Sequence, residues 1–266
     1  FLPGMALLTL DPRLGIPAAF LCSTVIAQID PILAAKNIAH ERFSPKAGTI
    51  LRCWSSFDDP ITVLFAFYIF LPLFLNEQTS FLSQYFLELF VELLVCVGIA
   101  TTFRLQKNAS IFSSTTIRKL MVIGTCVASG LSGRFLLPAS LGLMARPFNS
   151  QVKERAVNCI FAFSSFLIGA LAVGIPLNWK AGVILGASTY FLAQPAIAAL
   201  FIQDTKINRL RVMFGHQNGM TAILLTIALE LRTGSDQLLA ITLPAIIAIA
   251  VFYYITNYRI EQTNGT

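Results

Sequence analysis

Three aspartates, Asp30, Asp58 and Asp59, stand inside long apolar stretches of this sequence. A carboxylate at the centre of a membrane helix costs about 2.5–3.5 kcal/mol even on the lenient insertion scale, so it turns toward the protein interior or a watery cavity. Such residues are functional candidates by default. Asp58 and Asp59 are adjacent. Two neighbouring carboxylates held away from bulk water repel each other when both are ionised, so the pair readily takes up a proton. The same oxygens suit a hard monovalent cation. A site that holds either a cation or protons, but not both, exchanges one for the other.

Asp30 precedes Pro31, and Asp59 precedes Pro60. Asp followed by Pro reads as an N-cap with proline in the first helical position, a signal that starts a helix. At Asp30 this reading agrees with function, because a helix restarting inside a membrane exposes backbone groups to an ion. At Asp59 it is weaker: capping needs one carboxylate, and Asp58 supplies a second.

The elements that must position these groups follow from composition. Of 266 residues, 56% are hydrophobic and only 12% charged, with a mean hydropathy of +0.72. A soluble domain of that size needs a far more charged exterior. The apolar residues fall in blocks of roughly twenty, the length that crosses a hydrocarbon core as a helix. In lipid the backbone must satisfy its own hydrogen bonds, so such blocks are helical. Eight are legible: Ile16–Ala39, Ala47–Leu75, Phe81–Phe103, Ile117–Met144, Ala156–Leu177, Ala181–Ile202, Val212–Leu231 and Leu238–Thr256. Phe1–Leu10 reads as the tail of a further span, which would place additional helices upstream of Phe1.

The net charge of +6 belongs to the loops. Lys36, Arg42 and Lys46, then Arg104, Lys107, Arg118 and Lys119, then Arg146, Lys153 and Arg155, mark cytoplasmic linkers by the positive-inside rule. No basic run is interleaved with aromatics, which argues against nucleic-acid binding. Two consecutive inside linkers flank the fourth block, so it must cross twice or re-enter, with Ser132-Gly133-Arg134 as the turn. The first and seventh blocks then run in opposite directions, and both carry polar interruptions at mid-span. Opposed, interrupted helices are the ground plan of an inverted repeat. The five cysteines form no CxxC pair and read as free thiols. The expected fold is all-α: a polytopic transmembrane helical bundle with inverted repeats and interrupted helices.

Ala27-Gln28-Ile29-Asp30-Pro31 resembles the Thr-Asp-Pro segment of cation/proton antiporters. Trp54-Ser55-Ser56-Phe57-Asp58-Asp59-Pro60 is similar to the paired-acid motif on their next helix, and the separation of the two segments is similar as well. The resemblance covers essentially the whole chain, but only these two motifs are specific. It implies exchange of Na⁺ or K⁺ for H⁺ by a multi-pass protein of the cell (inner) membrane, with no cofactor and no enzymatic step. Asp59 would carry cation and proton, Asp58 would be its partner, and Ser55 and Asp30 would be auxiliary. Residues 1–266 would form one exchanger domain. Its core helices (about 1–75 and 181–257) would move past the interface helices (about 81–177) of a homodimer.

The sequence departs from the family at several places. Ile29 replaces the threonine before the first aspartate, and Trp54 the glutamate before the serine. Gln194 falls where electrogenic members carry a lysine. His216, Gln217 and Asn218 fall where electroneutral members carry an arginine. Gln194, His216 and Asn218 are therefore auxiliary candidates, with His216 as a pH-sensitive group. Asp58 and Asp59 would share a proton, or pair with Arg52 or Arg134. The polar cluster from His216 to Asn218 reads equally as interhelical hydrogen bonding, and Gly182 and Gly186 as close helix packing. Glu88 and Glu92, one turn apart, read as an outer-end or subunit-contact pair. The competing classes are an uncoupled cation channel and an inactive truncated exchanger. An intramembrane aspartyl protease is disfavoured, because the Gly-x-Gly-Asp motif is missing.

Overall fold

A computed structural model describes residues 2–29, 34, 44–75, 87, 89–99, 101, 115–132, 173–201, 206–215 and 220–264, with scattered positions between 155 and 170. The chain divides into two compact units, residues 1–76 with 162–266, and residues 77–161. Among the described residues the regular elements are helices, and no strand occurs.

In chain order the helices are α1 (Leu2–Leu10), α2 (Ile16–Ile26) and α3, which runs from Pro45 to Phe74 with a π turn over Ala66–Phe70. The unit formed by residues 77–161 contains α4 (Leu89–Ile99) and α5 (Thr115–Ser132). The other unit resumes with α6 (Trp179–Ser188, a π turn over Thr189–Ala193, then Gln194–Phe201) and α7 (Lys206–Phe214). It ends with α8 (Met220–Thr233) and α9 (Gln237–Asn264). Among the described residues, three stretches are long and apolar enough to cross a membrane: Pro45–Phe74, Trp179–Leu200 and Gln237–Tyr258. Large apolar side chains lie on their outer faces, among them Phe57, Leu73, Val183, Leu192, Val251 and Ile255. Water would penalise such a surface; hydrocarbon would not. The five cysteines are free thiols, with Cys22 buried.

The start of α3 was encoded just upstream of the second apolar block. Ser44 takes an extended conformation and its Oγ accepts the N–H of Ala47, while Pro45 occupies the first turn. This is the N-cap arrangement that suits a proline at the first helical position. The Asp59-Pro60 pair, in contrast, does not start a helix. The backbone stays helical from Pro45 through both residues to Phe65. Fifteen residues of α3 precede Pro60, so an established helix carries through it at the loss of one N–H, the donor that the Ser56 carbonyl would otherwise receive.

The irregularity in α3 comes later. The N–H of Leu71 reaches back five residues to Ala66 O, and in α6 the N–H of Gln194 does the same to Thr189 O. In both cases a proline follows immediately, Pro72 and Pro195. A proline ring clashes with the carbonyl four residues back and offers that carbonyl no hydrogen, and a turn widened by one residue accommodates both effects. The seventh apolar block is also interrupted. α7 stops at Phe214 and α8 starts at Met220, with residues 216–219 outside the described set. Gly133 and Arg134, the expected turn in the fourth block, lie outside it as well.

The most extensive helix contact in the larger unit runs between α6 and α9. Gly182 and Gly186 make it possible. A Cβ on Gly182 would lie 2.5 Å from Pro244 Cβ and 2.7 Å from Ile241 O, and one on Gly186 would lie 2.9 Å from Ala245 O. Small residues four apart let two backbones touch, as the sequence suggested. Pro244 inside α9 deprives the Ala240 carbonyl of its helical donor. The N–H of Asn178 takes that place at 2.9 Å, and the Asn178 side chain caps α6 through Ala181 N at 3.1 Å.

Glu230 solves the matching problem at the start of α9. It sits in the last turn of α8, where a negative charge opposes the helix macrodipole. Its carboxylate instead accepts backbone N–H groups of Leu238 and Leu239, in the first turn of α9.

Two stability predictions follow from these contacts. Gly182→Ala should cost about 1–3 kcal/mol through overpacking against α9 backbone, whereas Gly98→Ala, with nothing within 4 Å of the new Cβ, should be tolerated. Thermal unfolding of the purified protein in detergent compares the two; equal midpoints would remove the close α6–α9 contact. Glu230→Ala should destabilise by about 1–2 kcal/mol, the usual loss of a helix-terminal acceptor. Glu230→Gln should lose less, because an amide oxygen still accepts.

Candidate ion site beside the α2 interruption

α2 begins behind Gly15, whose φ of +76° suits glycine, and Pro17 lies in its first turn. It ends at Ile26. Ala27 still donates to Ser23 O at 2.9 Å, but Gln28 and Ile29 are no longer helical. The residue before a proline is disfavoured in the α region, and Asp30-Pro31 follows. Asp30 lies outside the described residues.

Leaving the helix frees the N–H of Ile29 in a buried place, since Ile29 is itself only 2% exposed. That N–H donates to Asp58 Oδ2 at 2.6 Å. The structure therefore brings the two sequence segments together through one charge-assisted bond from backbone to carboxylate. Ile29 also packs with Leu51 of α3, Ala198 of α6 and Val212 of α7 in one apolar cluster, with Trp54 against it. That cluster holds Ile29 against α3.

On α3, Ser55 and Thr62 lie three residues before and four residues after Asp58, one helical face, and both are buried. Ser55 Oγ donates to Arg52 O at 3.1 Å. Asp59 continues the helix, and its side chain is not among those described. Arg52, considered a partner for the acids, is exposed. Among the described residues Asp58 has no ion pair.

Asp58 opens onto a cavity of about 610 Å³ between α1, α2, α3 and α6. Its wall is mostly apolar, with the stacked Phe20 and Phe70 rings 5.6 Å apart. The polar lining consists of Asp58, Ser23, Thr24 and Thr62. The hydroxyls of Ser23 and Thr24 donate to Ala19 O and Phe20 O, four residues back, at 2.6 and 2.8 Å. Their protons are thus committed, and lone pairs are what they offer to a guest. One carboxylate with several neutral oxygens is a donor set for a hard cation.

Of the auxiliary candidates, Gln194 is buried on α6 between Ala193 and Ala196, which line the cavity. His216 and Asn218 lie outside the described residues. The neighbouring part of that interruption is well defined. Tyr190, fully buried in the π turn of α6, donates its hydroxyl to Phe214 O at 3.0 Å, the last carbonyl of α7. Phe191, Phe214 and Phe252 surround its ring. Sequence reasoning missed Tyr190; the one available signal was a lone tyrosine in an apolar run just before Gln194-Pro195. On the far side, Thr221 Oγ1 is buried with no hydrogen-bond partner. Glu92 is buried in its own unit, on a helix whose other large side chains are mostly exposed, and Glu88 is outside the described set.

Comparison of the chain with protein-family models, with curated proteins and with solved structures gives no match.

Proposed function

We propose that this chain is the transport unit of a secondary active transporter that exchanges a monovalent cation, Na⁺ or K⁺, for protons, with Asp58 and Asp59 as the competing site. The observation that carries the reading is the 2.6 Å bond from Ile29 N–H to Asp58 Oδ2. It joins an interrupted helix to an intramembrane carboxylate at the wall of a largely apolar cavity. Interrupted helices that present backbone groups beside a coupling-ion site are the working part of many secondary transporters.

The mechanism rests on competition. With Asp58 and Asp59 ionised, the pair and nearby oxygens hold a partly dehydrated cation; protonation removes the charge and releases it. Rocking or sliding of one part of the bundle past another would expose the site to each side in turn. A multi-pass bundle with inverted repeats, a homodimer and a cell (inner) membrane belong to the same proposal. Asp30, Ser55, Gln194, His216 and Asn218 are auxiliary to it.

Reconstitution into liposomes containing a pH-sensitive dye tests the reading. Na⁺ or K⁺ added outside should drive proton movement, and the apparent KM for cation should rise about tenfold per unit fall in pH for each proton displaced. Asp59→Asn should reduce exchange to the level of empty liposomes. Asp58→Asn keeps an oxygen for the Ile29 N–H but loses the charge, so it should remain folded and lose at least about tenfold in rate. Wild-type exchange by Asp59→Asn would sink the mechanism. Cation flux in the wild type that persists without any proton movement would favour an uncoupled facilitator.

A further inference from the structure

We infer that the side-chain carbonyl of Gln28 is a neutral ligand for the cation that Asp58 binds, and so a residue that favours metal ion over proton. This rests on the exchange reading above. Gln28 is 2% exposed, and its Oε1 has no hydrogen-bond partner among the described residues. Its neighbours fix its place. Ala27 lines the cavity with Asp58, and Ile29 donates its N–H to Asp58 Oδ2. Along the chain, the buried Gln28 lies between one residue at the cavity wall and one bonded to the carboxylate.

An acceptor buried without a donor is unfavourable, and native proteins keep few of them. Of the polar groups of the neighbouring cavity, Ser23, Thr24 and Asp58 offer no donor. Ser23 and Thr24 have committed their protons to backbone carbonyls, and Asp58 is an acceptor when ionised. An acceptor-rich, donor-poor surrounding is stabilised by a positive ion. An amide does not titrate near neutral pH, so Gln28 would bind a metal ion and contribute nothing to proton uptake. The carboxylate serves both ions, whereas the amide oxygen serves one.

The test uses Gln28→Leu and Gln28→Glu in full-length protein, measuring cation KM in liposomes and thermal midpoints in detergent without Na⁺ or K⁺. Gln28→Leu removes the unpartnered acceptor, so its cation-free midpoint should equal or exceed that of wild type. Its KM for Na⁺ or K⁺ should nonetheless rise by about tenfold or more, with kcat little changed. Gln28→Glu should hold KM near the wild-type value while making it depend more steeply on pH, because an extra titrating oxygen now faces the ion. A structural role gives the reverse order, with leucine unchanged in KM and glutamate impaired. An unchanged KM in Gln28→Leu, beside a wild type that exchanges, overturns the Gln28 assignment alone. A wild type with no cation-driven proton movement overturns the exchange reading and this one together.

Discussion

A backbone that leaves its helix in apolar surroundings must find new hydrogen-bond partners, and that constraint organises the larger unit of this protein. Water is unavailable to serve as the partner in hydrocarbon, so another helix supplies it. After α2 the freed N–H of Ile29 goes to Asp58. Where Pro244 strips the Ala240 carbonyl, Asn178 N–H arrives from the start of α6. The last carbonyl of α7 receives the Tyr190 hydroxyl, and the first N–H groups of α9 receive the Glu230 carboxylate. At these four places a local break or helix end is turned into a tertiary contact, and irregular backbone becomes a means by which the helices find their register.

The same logic explains why the candidate site lies where it does. A helix interruption concentrates polar groups that have lost their regular partners, and a carboxylate drawn in to satisfy one of them brings charge to a largely apolar cavity. Asp58 has two oxygens, and the Ile29 N–H engages Oδ2. The remaining valence faces hydroxyl lone pairs, and among the described residues the cavity lining holds no positive charge. On the proposed reading, structural satisfaction and ion binding compete for one side chain, which would tie occupancy of the site to the geometry of the break.

Much of this was legible in the sequence, and the parts that were not share a cause. Composition gave the apolar helical class, because block length and charge depletion depend on the solvent rather than on neighbours. Asp30-Pro31 reads as a helix start and lies outside the described residues, but the disfavour of helix just before a proline fits the end of α2 at Ile26, because the effect is local. The glycines at 182 and 186 were readable as a packing pair for the same reason. At Asp59-Pro60 the helix-start reading is the weaker one, and the helix does run through: it was already long when it reached the pair, and context outweighed the local signal. Tyr190 and Glu230 left almost no trace, because each acts on backbone far along the chain, 24 and 9 residues away. The π turns were equally hidden, since nothing in Ala66–Phe70 or Thr189–Ala193 distinguishes a wide turn from a regular one except the proline downstream.

Those wide turns carry a consequence for how the two helices are faced. One surplus residue is absorbed at each, so side chains beyond Phe70 in α3 and beyond Ala193 in α6 are rotated by about a quarter of a revolution relative to an unbroken 3.6-residue repeat. The phase in which apolar and polar positions recur is thus reset midway along each rod. The first portion of α6 can lay Gly182 and Gly186 flat on α9 while the second points Ala193, Ala196 and Ile197 into the cavity. A single rod with one fixed stripe would have to choose between those two neighbours.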